Sequence, residues 1–445
     1  MITNRRKFLK NLSKTTIGAA AITATPLTET QATTSEKNAA NVVNVGLIGV
    51  HGMGWADLHS FLKNADTRCV ALCDVDADLL AQRAAEIEKK FGYKPQTFND
   101  HRELLKVKDL HAVMIGTPDH WHCIQLCDAC AAGKDVYVEK PISLNVEEAD
   151  LMVKMVRKHN RVVQVGQWQR SDRHWKDALK ELSSGSIGKI RQVKAWADVN
   201  YGRGFDIVPD SEVPKGVDYD RWLGPAPKRP FNKNRFHGSF RYFWDYAGGL
   251  MTDWGVHMLD MVLAGMNAQS PKSVMAIGGK LAFPNDAAET PDTLTTVYDF
   301  GSFSLVWEQF MGMGTSPYLD DVSEPGVAFI GEKGILAINR VHWKILPLED
   351  NGKYMVTPMP ARRSWDSGLD AHTRNWLECI RDRKDPNCTI EMGRDTAVVA
   401  QLGNIAYRTG RKLEWDADKR QFKNDTEGNK LLKATYRTPW ELPKA

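Results

Sequence analysis

A chain of 445 residues with 59 basic and 55 acidic side chains is nearly neutral, and its small positive excess sits in residues 1–32, where Arg5, Arg6, Lys7, Lys10 and Lys14 outnumber a lone Glu29. The balanced remainder argues against a nucleic-acid or anionic-membrane surface, and with no apolar run of about eighteen residues it predicts a soluble protein. It is too long for one hydrophobic core, so two domains are expected. The seven cysteines, odd in number and poorly spaced for a metal, read as buried free thiols.

At the N-terminus, Arg5-Arg6-Lys7-Phe8-Leu9-Lys10 precedes a mildly apolar stretch from Thr16 to Leu27 that is rich in Ala and Thr. This resembles a twin-arginine export signal and predicts removal of residues 1–32 and a periplasmic location. Val42 to Gly49 is then an unbroken apolar run, as in a buried parallel strand. It enters the glycine turn Gly49-Val50-His51-Gly52-Met53-Gly54 and a helix from Trp55 to Leu62. A second buried strand, Arg68 to Asp74, ends in a carboxylate twenty residues after Gly54. Strand, glycine turn, helix, strand and acid in that order predict a Rossmann dinucleotide-binding unit. The glycines let a pyrophosphate approach the backbone, and the helix N-terminus meets its charge. Asp74 would take the adenosine ribose hydroxyls and repel a 2′-phosphate, which favours NAD over NADP. His51 stands where the usual pattern has its middle glycine.

The next apolar strand runs into Thr117-Pro118-Asp119-His120-Trp121-His122, a loop expected on the nicotinamide side. Its histidine pair lacks a nearby third ligand, so no metal is predicted. A short strand from Asp135 then ends in Glu139-Lys140-Pro141. Further on, Asp253 and His257 are four residues apart, on one face if that segment is helical. A lysine beside a histidine suits the oxidation of a hydroxyl. The ammonium steadies developing alkoxide character, and an imidazole with an ordinary pKa of about 6.5 takes the proton. Alternation in Ile190–Ala197, Thr293–Phe300 and Ser302–Glu308 predicts strands of a sheet with two unlike faces. Asp370–Asp382 and Gly393–Thr409 read as amphipathic helices.

Together, Gly49 to Gly54, Thr117 to His122, Glu139-Lys140-Pro141 and Asp253 with His257 resemble the glucose–fructose oxidoreductase / inositol dehydrogenase / MocA (Gfo/Idh/MocA) family. Trp222-Leu-Gly-Pro-Ala-Pro227, Arg235-Phe-His237, Phe243 to Gly249 and Arg437 to Leu442 resemble an exported bacterial branch of it. The resemblance implies an α/β protein with an N-terminal Rossmann domain over residues 42–165. A C-terminal α/β domain would follow over 166–445, with an open, mostly antiparallel sheet. One face of that sheet would cover the nicotinamide, and the other commonly makes a homodimer or homotetramer.

Carried over, the cofactor positions are Gly49, His51, Gly52, Met53, Gly54, Asp74, Thr117, Pro118, His122, Glu139 and Lys140. Lys140 would bond both the nicotinamide ribose and the reacting oxygen, with His257 as general base. Asp253 would bind a neighbouring sugar hydroxyl or orient the imidazole. The aromatic and basic cluster that includes Trp222, Phe236, His237 and Arg241 suits a pyranose, although many of its rings should be core. Trp168, Arg170, Tyr201, Arg235 and Trp244 are the candidate substrate contacts. The leading expectation is an exported NAD-dependent enzyme oxidising a secondary hydroxyl of a sugar or glycoside, with carbon 3 of a glucoside tried first. The alternative is a redox-neutral glycosidase or epimerase. Hydrolases of the exported branch lack the Glu-Lys-Pro lysine, which this chain keeps.

Overall fold

The computed structural model describes residues 42–199, 204–312, 324–363 and 368–445, so the export-like segment and Tyr201 lie outside the described residues. The first sheet has six strands: β1 (Val43–Ile48), β2 (Thr67–Cys73), β3 (Gln96–Phe98), β4 (Ala112–Ile115), β5 (Asp135–Val138) and β6 (Val163–Val165). Their order is β3-β2-β1-β4-β5-β6, and every pairing is parallel. This is the doubly wound arrangement, with its direction of winding reversing between β1 and β4. Helices cover both faces, which is why the strands read as continuous apolar runs; Val45, Leu47, Val113 and Val136 are fully buried.

The longer helices that follow the strands are α1 (Gly52–Phe61), α2 (Ala77–Phe91), α3 (Asp119–Ala131) and α4 (Val146–Lys158). The glycine turn itself forms the first turn of α1, which therefore starts before the expected Trp55. Asp76 caps α2 by accepting the Leu79 N–H at 3.1 Å, and Gly92, with φ of 77°, ends it. His120 and His122, expected on a loop, lie instead in the first turns of α3, because Pro118 stands immediately ahead of Asp119 and starts the helix.

The second sheet has ten strands. They are β7 (Ile190–Val199), β8 (Ser273–Gly279), β9 (Thr293–Asp299), β10 (Ser304–Met311), β11 (Gly326–Gly331), β12 (Gly334–Asn339), β13 (His342–Pro347), β14 (Met359–Arg363), β15 (Leu413–Asp416) and β16 (Gln421–Phe422). Their order is β14-β13-β12-β11-β7-β10-β9-β8-β15-β16. The sheet is mixed and mostly antiparallel, with β7 and β10 running parallel. Alternate residues of β10, Leu305 and Trp307, are fully buried beneath the helices α5 (Gly249–Asp253), α6 (Gly255–Met266) and α8 (Ile390–Thr409). The Tyr298 hydroxyl bonds the Val399 carbonyl of α8 at 3.0 Å, tying helix to sheet.

Helix α7 (Gly368–Asp382) behaves differently from its place in the chain. Its Trp376 and Leu377 are fully buried in one cluster with Leu47, Phe61 and Tyr137 of the first sheet layer. Asp370 also accepts a hydrogen bond from the Ser60 hydroxyl of α1 at 2.6 Å. A late helix thus completes the Rossmann layer. All seven cysteines are buried and unbridged.

Candidate active site

Two turns meet at the carboxyl ends of β1 and β4, and glycine permits their contact. Gly49 has φ of 87°, and a Cβ there would lie 2.8 Å from the Gly116 backbone. A Cβ on Gly54 would sit 2.5 Å from the Gly49 carbonyl oxygen, and one on Gly116 would sit 2.5 Å from the Gly54 Cα. Gly116 is the third member of this contact and was not singled out in the sequence. The His51 side chain makes no capping bond to α1, so the first N–H groups of that helix remain for a ligand. Asp74 Oδ2 accepts the Val50 N–H at 2.8 Å and Oδ1 the Asp76 N–H at 3.1 Å. The carboxyl thus fixes the turn while keeping lone pairs for ribose hydroxyls. Burial raises its pKa.

Gly49, Gly52, Met53, Asp74, Thr117, Pro118, Glu139 and Lys140 all line one cleft. A turn packed too closely for a Cβ at Gly49, Gly54 or Gly116, facing open helix N–H groups and an acid, fits a dinucleotide. The ring nitrogens of His122 lie 2.8 Å from the carbonyls of Thr117 and Pro141, and the neutral ring donates to one of them, packed between the turn after β4 and the one after β5. Burial holds its pKa down at about 4.

The opposite wall of this cleft comes from a segment between β7 and α5. Ala77 N–H bonds the Gly216 carbonyl at 3.0 Å, Asp218 N–H bonds the Val75 carbonyl at 2.9 Å, and Arg221 pairs with Asp100 at 2.6 Å. His237 stacks on His51 at 4.8 Å and reaches Asp76 at 3.5 Å. Trp222, Phe236, His237 and Arg241 therefore line the cofactor cleft, although the sequence placed them with the sugar. Trp222 also packs edge-on against Phe236 and Tyr246 at 5.4 and 4.9 Å, as core.

Lys140 links the cleft to the reaction centre. Its Nζ donates to Asp253 Oδ1 at 2.7 Å and to the Asp253 carbonyl at 3.1 Å, and Arg241 Nε meets the same Oδ1 at 3.2 Å. Despite its burial, Asp253 is held well below the usual carboxylate range by these two cations. His257 is 7 % exposed, and its Nδ1 has no hydrogen-bond partner among the described residues. Burial first, then the charges of Lys140 and Arg340, pulls its pKa well below 6.5, so the imidazole is neutral at pH 7 and able to accept a proton. No hydrogen bond joins it to Asp253. The carboxylate faces Lys140 and Arg241 instead of orienting the imidazole.

The remaining sequence candidates divide. Trp168 is brought to this region by Arg340, whose guanidinium lies 4.7 Å from the Trp168 ring and 4.4 Å from Trp254. Arg170 is not brought there: its fork grips the buried Asp260 at 2.7 and 2.9 Å. Arg235 pairs with Asp210 at 3.7 Å and lies over Phe243. Trp244 lines a second cavity, donates to the Glu289 carbonyl at 3.2 Å and lies under Arg408. Asp119, passed over in the sequence, lines the cleft with its pKa pushed by burial to about 8. Arg340 carries no local pattern by which it could have been found.

The fold and cleft define a Rossmann oxidoreductase. Residues 43–167 match the model of the NAD-binding Rossmann fold of the Gfo/Idh/MocA oxidoreductase family, and residues 188–310 and 365–442 match that of its C-terminal alpha/beta domain. The chain belongs to this family and is an NAD-dependent oxidoreductase. It is 24 % identical over 383 residues to the scyllo-inositol 2-dehydrogenase (NAD(+)) of Bacillus subtilis, covering 84 % of this chain and 96 % of that one. It is 35 % identical over 160 residues to glycosyl hydrolase family 109 protein 2 of Shewanella sp. strain ANA-3, covering 33 % and 35 %. The fold is similar to that of the WlbA dehydrogenase of Bordetella pertussis in complex with NADH and UDP-GlcNAcA, with a TM-score of 0.62, 18 % identity, and 85 % and 100 % covered.

Replacing Gly54 with Ala pushes a methyl group into the Gly49 carbonyl. The variant should keep its fold by circular dichroism yet bind NADH at least about tenfold more weakly in a fluorescence titration, a loss of roughly 1.4 kcal/mol or more.

Proposed function

We propose that the protein oxidises a secondary hydroxyl of a sugar or glycoside. The observation that carries this reading is a neutral, buried His257 that feels the charge of Lys140, an ammonium that lines the dinucleotide cleft and is anchored on Asp253. His257 takes the hydroxyl proton. Lys140 donates a hydrogen bond to the oxygen as negative charge grows there, and Asp253 with Arg241 fixes the direction of that bond. Bound NAD supplies the acceptor for the hydride that leaves the same carbon, and a ketone remains. The match to an inositol dehydrogenase over most of both chains supports a cyclic polyol or sugar. Carbon 3 of a glucoside is the first position to test.

A redox-neutral reading has its own support in the shorter match to a glycosyl hydrolase. There the hydroxyl is oxidised, the acidified neighbouring C–H permits elimination, water adds, and the hydride returns. Retention of Lys140 favours net oxidation. Anaerobic mixing of the purified protein with glucosides separates the two. A reduced-nicotinamide absorbance that persists, with a keto product, is the expected result; free sugar accumulating while the cofactor stays oxidised would establish the hydrolase instead.

Lys140→Ala removes the donor to the reacting oxygen. It should lower kcat by at least about a hundredfold while NADH still binds, in line with the loss of one well-placed donor to an oxyanion. Unchanged turnover would remove Lys140 from the chemistry.

The twin-arginine pair supports an exported, periplasmic enzyme. Met275, Ile277 and Val297 are exposed on paired strands β8 and β9, and this apolar sheet face supports a homodimer or larger homo-oligomer. Cell fractionation of an Arg5→Lys/Arg6→Lys variant should find the protein retained inside, and light scattering of Ile277→Glu should show a smaller species than the parent.

A further inference from the structure

Asp57 sits in the middle of α1 with 1 % of its surface exposed, and Glu139 follows β5 with 5 % exposed. Their carboxyl groups adjoin, and the Glu139 charge is the strongest acting on Asp57. Asp57 Oδ1 and Glu139 Oε1 are both buried, and neither has a hydrogen-bond partner among the described residues. Gly166 leaves Glu139 its place, because a Cβ there would collide with Oε1. Glu139 Oε2 in turn accepts the backbone N–H of Lys140 at 3.3 Å. Two adjoining carboxyl groups, both this deeply buried, cannot both carry charge, so one proton must lie between them.

We propose that Asp57 and Glu139 share a single proton directly behind Lys140, which makes Asp57 a positioning residue that acts on the reacting lysine through Glu139. The surroundings favour Asp57 as the holder of the proton. Burial drives Glu139 up to about 7, moderated by Lys140, Arg241 and the hydrogen bond from Asp57. Burial and the Glu139 charge raise Asp57 further, with Lys140 opposing. Tyr137 also faces the pair, and burial keeps it neutral. At neutral pH the Asp57 hydroxyl donates to Glu139. Glu139 then holds the Lys140 main chain on one side while Asp253 holds its ammonium on the other. The proton is part of the scaffold and is not consumed.

The kinetic arm of the test rests on the dehydrogenase reading above; the other two arms do not. Infrared spectra of the purified holoenzyme at neutral pH should show the band of a buried protonated carboxylic acid that disappears in Asp57→Asn. Thermal melts supply the second arm. The folded pair keeps a proton that the unfolded chain releases above its ordinary pKa of about 4, so its contribution to stability is full below that value and falls as pH rises. Asp57→Asn, which donates without titrating, should therefore gain in Tm over the parent steadily from about pH 5 to about pH 8. In the third arm, Asp57→Leu should lower kcat at least about tenfold with little change in the KM for NAD, and Asp57→Asn should restore most of it, because an amide N–H replaces the shared proton as donor. No such band, together with a Tm difference that is flat in pH, overturns the shared proton. Equal kcat in the Leu and Asn variants overturns the positioning role even where the proton is present.

Discussion

The Lys140 ammonium joins the parts of this site that the chain supplies separately. Its backbone continues from the carboxyl end of β5 in the parallel sheet, while its Nζ is held by Asp253 at the end of a helix more than a hundred residues later. Both side chains are largely removed from water, at 11 and 15 % exposure. Breaking such a pair by deleting one partner typically costs about 3–5 kcal/mol, because the other charge is left buried and alone. The pair therefore constrains the fold and the chemistry together. It also explains why Asp253 takes no part in steering His257: its oxygens face two cations that are nearer.

Charge at the centre follows from this arrangement. Lys140 and Arg241 contribute two positive charges against the single negative charge of Asp253, and His257 adds none because burial keeps it neutral. An oxygen losing its proton there enters a site with an unbalanced positive charge and few competing water molecules, where electrostatic stabilisation is strongest. The buried carboxyl pair behind Lys140 tempers that excess without competing for the reacting oxygen, since Glu139 faces the lysine main chain and not its Nζ.

Most of the frame was legible in the sequence because it rests on local rules. Unbroken apolar runs gave the parallel strands, glycine spacing gave the turn at Gly49 to Gly54, and Asp74 ended the second strand where an acid was needed. What could not be read depends on contacts made across long separations. Trp376 looks like any apolar residue of an amphipathic helix, yet it packs among Leu47, Phe61 and Tyr137. Arg340 and Arg241 gain their meaning from rings and a carboxylate on other elements. Asp57 reads as a polar position on a short helix, and only the fold sets it against Glu139. The aromatic segment from Trp222 to Trp244 misled for a related reason: its rings suit a pyranose, but they are divided between the cofactor cleft, a core cluster and a second cavity.

The segment that closes the cofactor cleft bears on how the enzyme completes a cycle. Its fastenings are two main-chain hydrogen bonds between Val75–Ala77 and Gly216–Asp218, the Arg221–Asp100 pair, and the stacked His51 and His237. Singly each contributes little, about 0.5–1.5 kcal/mol for a main-chain hydrogen bond. A dinucleotide bound behind these contacts would be held more firmly for them. An enzyme that keeps its nicotinamide must return it to the oxidised state in place, either by passing the hydride to a second acceptor or by giving it back to the same sugar. Both proposed reactions meet that requirement. What separates them is whether the ketone leaves before the hydride returns, a competition between product release and the reverse transfer that the Lys140 hydrogen bond would govern on both sides.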